Sequence, residues 1–265
     1  MQLIPLNFTD PGFDPAYTAD FQLLLIINQD TFGYAVRHPA TQRLVRVSTG
    51  NPLVGLFEQQ GNPELTSSFQ KIVVAVDTNS FCLVPDAVFT PENLLNFASL
   101  LLVKETDVIL TDQIENGQNS VVFTFSGEVA RKLEDRFNTK KVEFAPKSWI
   151  KTVFKAQLPG QNLYLFLEGN RLQVLFPDQE KIRFYNQFSC STTDELVYYT
   201  ALVAKQLKLK PEETDLIICG TIEAESIQLP HLKEFFNGVD LFGTGDFKEH
   251  NHLQQHQVVQ FLGLS

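Results

Sequence analysis

One stretch of the chain echoes another, and this repeat limits the available folds more than any other feature. Residues Leu23 to Val36 (LLLIINQDTFGYAV) and Leu163 to Phe176 (LYLFLEGNRLQVLF) each read as an apolar strand, a short polar turn and a second strand. The two copies are 140 residues apart, so that Leu25 falls on Leu165, Ile27 on Leu167, Asn28 on Glu168, Phe32 on Leu172 and Val36 on Phe176. A third β-rich run follows in each, Arg43 to Thr49 and Lys181 to Phe188. A duplicated three-strand meander predicts two related lobes facing each other across a cleft.

The segments between the copies fill in the lobes. After a Pro/Asp/Gly-rich lead at Asn7 to Asp20, read as loop or cap, the first copy is followed by a short helix at Leu53 to Gln60 and the near-continuous apolar run KIVVAV at Lys71 to Val76. Such a run predicts a strand buried on both faces. A strand at Phe81 to Val84 precedes a helix opened by Thr90-Pro91-Glu92, with Thr90 as N-cap and proline in the first turn. Strands at Asp107 to Asp112 and Ser120 to Phe125 lead into an amphipathic helix capped by Ser126; a β-like piece at Lys141 to Phe144 and a helix at Lys147 to Lys155 complete the half. After the second copy, Thr192 and Glu195 stand at capping-box spacing ahead of a helix with Leu196, Tyr199, Val203 and Leu207 on one face. The strand DLIICG at Asp215 to Gly220, a short helix at His231 to Phe236 and a strand at Val239 to Phe242 follow. The expected division is a first lobe over 1–157, with an inserted β-rich subdomain at about 71–125, and a second lobe over 158–265.

Composition narrows the function classes. At 265 residues and 43% hydrophobic content the chain can bury roughly three quarters of its unfolded surface. Its formal charge of −10 argues against a nucleic-acid surface, which needs Lys and Arg to neutralise phosphates, and against anionic membrane surfaces. No apolar run reaches the roughly 20 residues of a membrane span and the N-terminus lacks a basic leader region, so the expected location is cytoplasmic. Cys82, Cys190 and Cys219 lie in apolar runs without CxxC spacing and read as buried reduced thiols.

The order β-β-β-α-β-α, repeated, resembles the superfamily of actin, sugar kinases and heat-shock ATPases, built from two ribonuclease-H-like lobes. More closely, IVVAVDTNSFCLVPDAVF followed by a helix, and FYNQFSCSTTDELVYYTALVAKQLKL followed by LIICG, resemble the bacterial domain-of-unknown-function family 3822 over about Phe21 to Phe242. The resemblance implies an α/β fold of two actin-like lobes with mixed sheets covered by helices. It also implies a site in the cleft between lobes: in superfamily ATPases each opening hairpin carries an Asp, one or more Gly and a Thr or Ser, because the turn must approach phosphate while the Asp positions magnesium and water.

Against that pattern the chain is depleted. Asn28 stands in place of the first acid and Asp30 in place of glycine, so that only Thr31 fits; the second hairpin places Leu167 or Glu168 at the acidic position and keeps Gly169, followed by Asn170, with no following Thr or Ser. Of the double glycine expected after the late strand, only Gly220 is present, followed by Thr221. The expectation is a pseudo-enzyme with no catalytic residue and no resident cofactor, acting as a scaffold or protein-binding module through a protein partner or self-association, as do pilus-assembly and secretion scaffolds of the superfamily with similar insertions. The alternative is a nucleotide-binding protein or weak ATPase taking ATP and magnesium between Asn28, Thr31, Glu168, Asn170 and Gly220. On the scaffold reading, Thr31→Ala combined with Gly220→Val leaves folding intact.

Two further patterns have plainer readings. EHNHLQQH at Glu249 to His256 places His252 and His256 four apart, a zinc-compatible spacing if helical, but without HExxH it reads as a solvated, helix-prone tail and no metal site is assigned. LFGTGD at Leu241 to Asp246 lacks the Lys-Ser/Thr of a phosphate loop and reads as a turn.

Overall fold

The computed structural model describes residues 4–58, 63–114, 118–223, 226, 228–243 and 253–264. The chain forms two compact units, Pro5–Trp149 with Gly263 and Leu264, and Ile150–Leu262 with Ile4.

The first unit is built on a mixed sheet. Its strands are β1 (Asn7–Thr9), β2 (Gln22–Ile27), β3 (Thr31–Arg37), β4 (Leu44–Pro52), β5 (Lys71–Val76) and, after an excursion, β9 (Val142–Phe144). They lie in the order β1-β4-β3-β2-β5-β9. β2 is antiparallel to β3 and parallel to β5, with Ile27 opposite both Phe32 and Val76. Leu23 to Ile27 are all buried, which is why this strand reads as one apolar run rather than as an alternation. One face carries Leu23, Leu25, Ile27, Val74 and Val76 under α1 (Leu53–Phe57) and α3 (Gly127–Phe137), which contribute Leu56, Leu133 and Phe137. Ser126 starts α3 by accepting the Val129 N–H, and Asn138 ends it in the left-handed region.

The excursion is a separate antiparallel sheet, β6-β8-β7, formed by β6 (Phe81–Pro85), β7 (Asp107–Ile114) and β8 (Asn119–Ser126) and covered by α2 (Leu94–Ala98). The inserted sheet therefore begins after β5: the expected insert at about 71–125 started one strand early, because KIVVAV pairs with β2 in the main sheet. A proline-led 3-10 turn at Pro91–Asn93, closed by a Thr90–Asn93 capping box, introduces α2. The insert is braced to its parent: Asp112 on β7 accepts the Phe144 N–H at 3.0 Å and pairs with Lys147 at 2.7 Å, both side chains mostly buried. The lead also departs from expectation, since Asn7–Thr9 pairs with β4 instead of forming only loop.

The second unit repeats the scheme. α4 (Pro146–Ala156) leads into β10 (Asn162–Glu168), β11 (Arg171–Asp178) and β12 (Lys181–Ser189), followed by α5 (Thr193–Gln206), β13 (Asp215–Gly220), α6 (Gln228–Lys233), β14 (Gly238–Leu241) and α7 (Gln255–Leu262). Its sheet order is β12-β11-β10-β13-β14. Strand for strand this is β4-β3-β2-β5-β9 again, with the same antiparallel and parallel pairings. Leu167 faces Leu172 and Gly220 as Ile27 faces Phe32 and Val76, in agreement with the offset read from the sequence. α5 and α6 cover one face through Leu196, Val203, Leu229 and Leu232, and α7 packs along β13. Thr192 and Glu195 form the expected capping box. Cys190 and Cys219 are buried free thiols and Cys82 a half-buried one. No helix of the described residues is long and apolar enough to cross a membrane.

Candidate functional site

In both units the residues singled out from the sequence stand at the carboxyl ends of the two central parallel strands, where open α/β sheets present their loops. In the first unit Asn28 opens the β2–β3 turn and donates its N–H to the Thr31 carbonyl at 2.8 Å. Asn28 and Thr31 are half-buried, whereas Gln29 and Asp30 are exposed at the tip. The Asp30 carbonyl accepts the Leu53 N–H that starts α1. Beside this turn lies Asp77, the residue directly after β5. Its N–H donates to the Ile27 carbonyl at 2.8 Å, and its side chain is almost completely buried, at 3% exposure.

The second unit has the same backbone with different side chains. Thr221 follows β13 as Asp77 follows β5, and donates its N–H to the Leu167 carbonyl at 3.0 Å. The β10–β11 turn is Gly169-Asn170, with Gly169 at φ +57° supplying the left-handed turn position. Glu168, at the turn's entrance, lies 3.6 Å from the Arg171 guanidinium with both side chains largely shielded. Asn170 is exposed, and its carbonyl accepts the Cys190 N–H at 2.6 Å. Gly220 adopts φ +103°, and a β-carbon there would lie 2.0 Å from the Leu167 oxygen.

Close packing of β13 against β10 thus accounts for this glycine, and the expectation that Gly220→Val leaves folding intact is corrected: any side chain here collides with backbone. The Thr221 hydroxyl is shielded from solvent and has no hydrogen-bond partner among the described residues.

Behind this segment, His256 on α7 donates its Nε2–H to the Ile222 carbonyl, 2.9 Å away; a carbonyl can only accept, so Nε2 carries the proton. The ring is 2% exposed, and burial lowers its pKa against the opposing pull of that hydrogen bond. Residues 255–262 are therefore a packed helix and not the solvated tail expected from EHNHLQQH, because Val258, Val259 and Phe261 supply an apolar face downstream of the histidines. His250 and His252 lie outside the described residues, as do Thr244 to Asp246 of the glycine-containing turn. Among the described residues no group of three or more His, Cys, Asp or Glu is placed to hold a metal ion.

The thiols are poor nucleophiles. Burial, then the Glu195 carboxylate, pushes Cys190 up to about 11, and burial alone raises Cys219. Sequence reasoning missed Asp77. The signal was available, an acid directly after the buried run IVVAV, at the end of a strand parallel to the first strand of the hairpin. What these turns offer chemically is uneven: carboxylates at Asp30 and Asp77 in one, an ion-paired carboxylate and a solvent-shielded hydroxyl in the other.

Comparison with known proteins agrees with the fold. A protein of unknown function with an actin-like ATPase fold, from Bacteroides thetaiotaomicron, superposes with a TM-score of 0.76 at 16% identity, over 87% of this chain and 93% of that one. A chain of the PilM-PilN type IV pilus biogenesis complex gives 0.59 at 13% identity, over 94% and 98%. The ethanolamine utilization protein EutJ from Carboxydothermus hydrogenoformans gives 0.50 at 8% identity, over 97% and 91%. At these identities the likeness is one of fold, and the chain has the actin-like ATPase fold. No curated protein matches the sequence. The model of one family matches residues 10–239, and the chain belongs to that family, described as "Protein of unknown function (DUF3822)".

Proposed function

We propose that the chain is a non-catalytic protein-binding module or scaffold of the actin-like fold, working in the cytoplasm without a resident nucleotide. The observation that carries this reading is the β2–β3 turn. A phosphate-binding turn exposes bare backbone N–H groups, which glycine permits. Here no glycine lies between Asn28 and Thr31, Asp30 places a carboxylate at the exposed tip, and Asp77 places a second beneath it. Both acids raise the cost of bringing a polyphosphate close. In the second turn Glu168 is engaged by Arg171, and Gly220 is required by Leu167 whether or not a ligand is present. The pilus neighbour was solved as part of a protein complex, which accords with a binding role.

A second reading is favoured by one observation: the Thr221 hydroxyl beside Gly220, shielded and without a partner among the described residues, is a group that a ligand would satisfy. On that reading Asn28, Thr31, Glu168, Asn170 and Gly220 belong to a nucleotide site.

Thermal-shift titration with ATP, ADP and GTP, with and without magnesium, separates the two. A ligand bound only by the folded chain stabilises it by about 2.7 kcal/mol at a hundredfold excess over Kd. The scaffold reading expects an unchanged melting temperature at millimolar nucleotide. A magnesium-dependent rise overturns it and makes hydrolysis the next assay.

A further inference from the structure

Half of the large hydrophobic side chains that the described residues leave exposed fall within one short stretch of the inserted subdomain: Val88, Leu95, Leu100, Leu102 and Val103, with Leu102 at 94%. Their exposure is not a by-product of a thin core. α2 and the turn after it already use Leu94, Phe97, Ala98 and Leu101 to cover Val84 and Val122 on the small sheet. The opposite face of that sheet packs through Phe81 and Phe123 onto Phe144, at ring separations of 5.2 and 5.4 Å. Both faces of the sheet are thus accounted for, and the outward leucines contribute to neither. A layer of helix and turn that is apolar on both sides belongs between two partners, and among the described residues only one is present.

The charge around the patch indicates what the second partner is. From Asn93 to Val103 there is no charged side chain, whereas the flanks from Asp86 to Asp107 hold Asp86, Glu92, Glu105 and Asp107 against Lys104 alone. Glu92 stands three residues before Leu95 and Glu105 three after Leu102, so the uncharged apolar run is bounded in sequence by a carboxylate on each side. A second copy would bring the same acidic frame and a formal charge of −10, and an anionic lipid surface would be repelled in the same way. We propose that this face docks an amphipathic helical segment of another protein, with a leucine-type apolar stripe flanked by Lys or Arg. The inference rests on the reading of the chain as a binding module and gives that module a surface and a class of partner.

The test uses the full chain and two synthetic probes, an amphipathic Leu/Lys helix and its Leu/Glu counterpart, followed by fluorescence anisotropy. The Leu/Lys probe should bind at least tenfold more tightly, and more weakly as salt rises. Leu95→Ser with Leu102→Ser should weaken it by about tenfold per leucine while leaving the melting temperature unmoved, since both side chains are solvent-exposed. Glu92→Gln with Glu105→Gln should weaken binding several-fold and flatten the salt dependence.

Equal binding of the two probes, or undiminished binding by the leucine variant, overturns the proposal. So does a dimer in light scattering, or co-sedimentation with phosphatidylserine-containing vesicles, that the leucine substitutions abolish; these assign the face to a second copy or to lipid. The nucleotide titration is independent of this face. Failure here with no nucleotide shift leaves a scaffold that docks elsewhere, and success here with a magnesium-dependent shift leaves the docking face on a nucleotide-gated protein.

Discussion

Gly220→Ala is the substitution that most directly tests the account of the second turn. At φ +103° an L side chain is strained, at a cost of about 1–3 kcal/mol. The new β-carbon would also sit 2.0 Å from the Leu167 oxygen and 2.8 Å from the Leu167 carbon and nitrogen, all backbone atoms that no rotamer change can move. β10 and β13 must separate locally, which strains the Thr221 N–H to Leu167 carbonyl bond and adds about 1 kcal/mol. Together these give a loss of about 3 kcal/mol, equivalent to roughly 6–12 °C in melting temperature for a chain of this size. Scanning calorimetry of Gly220→Ala against Gly243→Ala, where a β-carbon meets nothing within 4 Å, isolates the site from glycine's general entropy effect. Hydrogen exchange should accelerate at Thr221 and Ile222 in the first variant only. A shift below about 2 °C for Gly220→Ala would refute the steric argument and return this glycine to the candidates for ligand contact.

Three other perturbations follow from contacts elsewhere. Asp112→Ala leaves Lys147 and the Phe144 N–H without their acceptor and should cost about 3 kcal/mol in urea unfolding; the double variant Asp112→Ala/Lys147→Met should lose less than the sum of the singles by at least about 0.5 kcal/mol, and strict additivity would mean the pair carries no coupling. Thr192→Ala removes the oxygen that accepts the Glu195 N–H at the start of α5 and should cost about 1 kcal/mol, while Thr192→Ser should cost almost nothing; equal losses would refute the cap. For His256, burial holds the folded-state pKa below the ordinary 6.5, so the unfolded chain takes up the proton first and stability falls as pH drops through 6.5 toward the folded value, at up to about 1.4 kcal/mol per pH unit. Urea melts of wild type and His256→Gln between pH 5 and 7.5 should diverge only in the acid half, and parallel curves would refute the linkage.

The frame of both units was legible because the main sheets are built from runs whose burial is continuous. LLLII and LYLFL are central strands covered on both faces, and the offset between them reports a real structural correspondence. Caps at Ser126 and Thr192 were legible because they are local chemistry, one hydroxyl and one nearby amide. What the sequence concealed depends on distant pairing. Asn7–Thr9 is a strand only because β4 has an open edge, and KIVVAV belongs to the main sheet only because β2 lies beside it. α7 was hidden by a histidine-rich lead whose polarity outweighed the apolar VVQFL behind it. Gly220 could be read as half of a ligand motif or as a packing requirement, and its contact with Leu167, 53 residues earlier in the chain, is invisible in a window of any ordinary width.

The two turns show where the repeat holds and where it has let go. At Ile27 and Leu167 the backbone does the same thing: each carbonyl accepts the N–H of the residue that follows the neighbouring parallel strand. That hydrogen bond needs only an amide, and the strands beneath need only apolar bulk, so neither constrains the side chain that follows. In one unit this side chain is the buried carboxylate of Asp77, in the other the hydroxyl of Thr221, and the turns differ as much, Asn-Gln-Asp-Thr against Glu-Gly-Asn-Arg. The two sheets agree in strand order, direction and register while their side chains disagree at these positions. Outside the repeat, the exposed Leu95, Leu100 and Leu102 lie on α2 and the turn after it, the layer that covers the inserted sheet β6-β8-β7, which has no counterpart in the second unit's described sheet order.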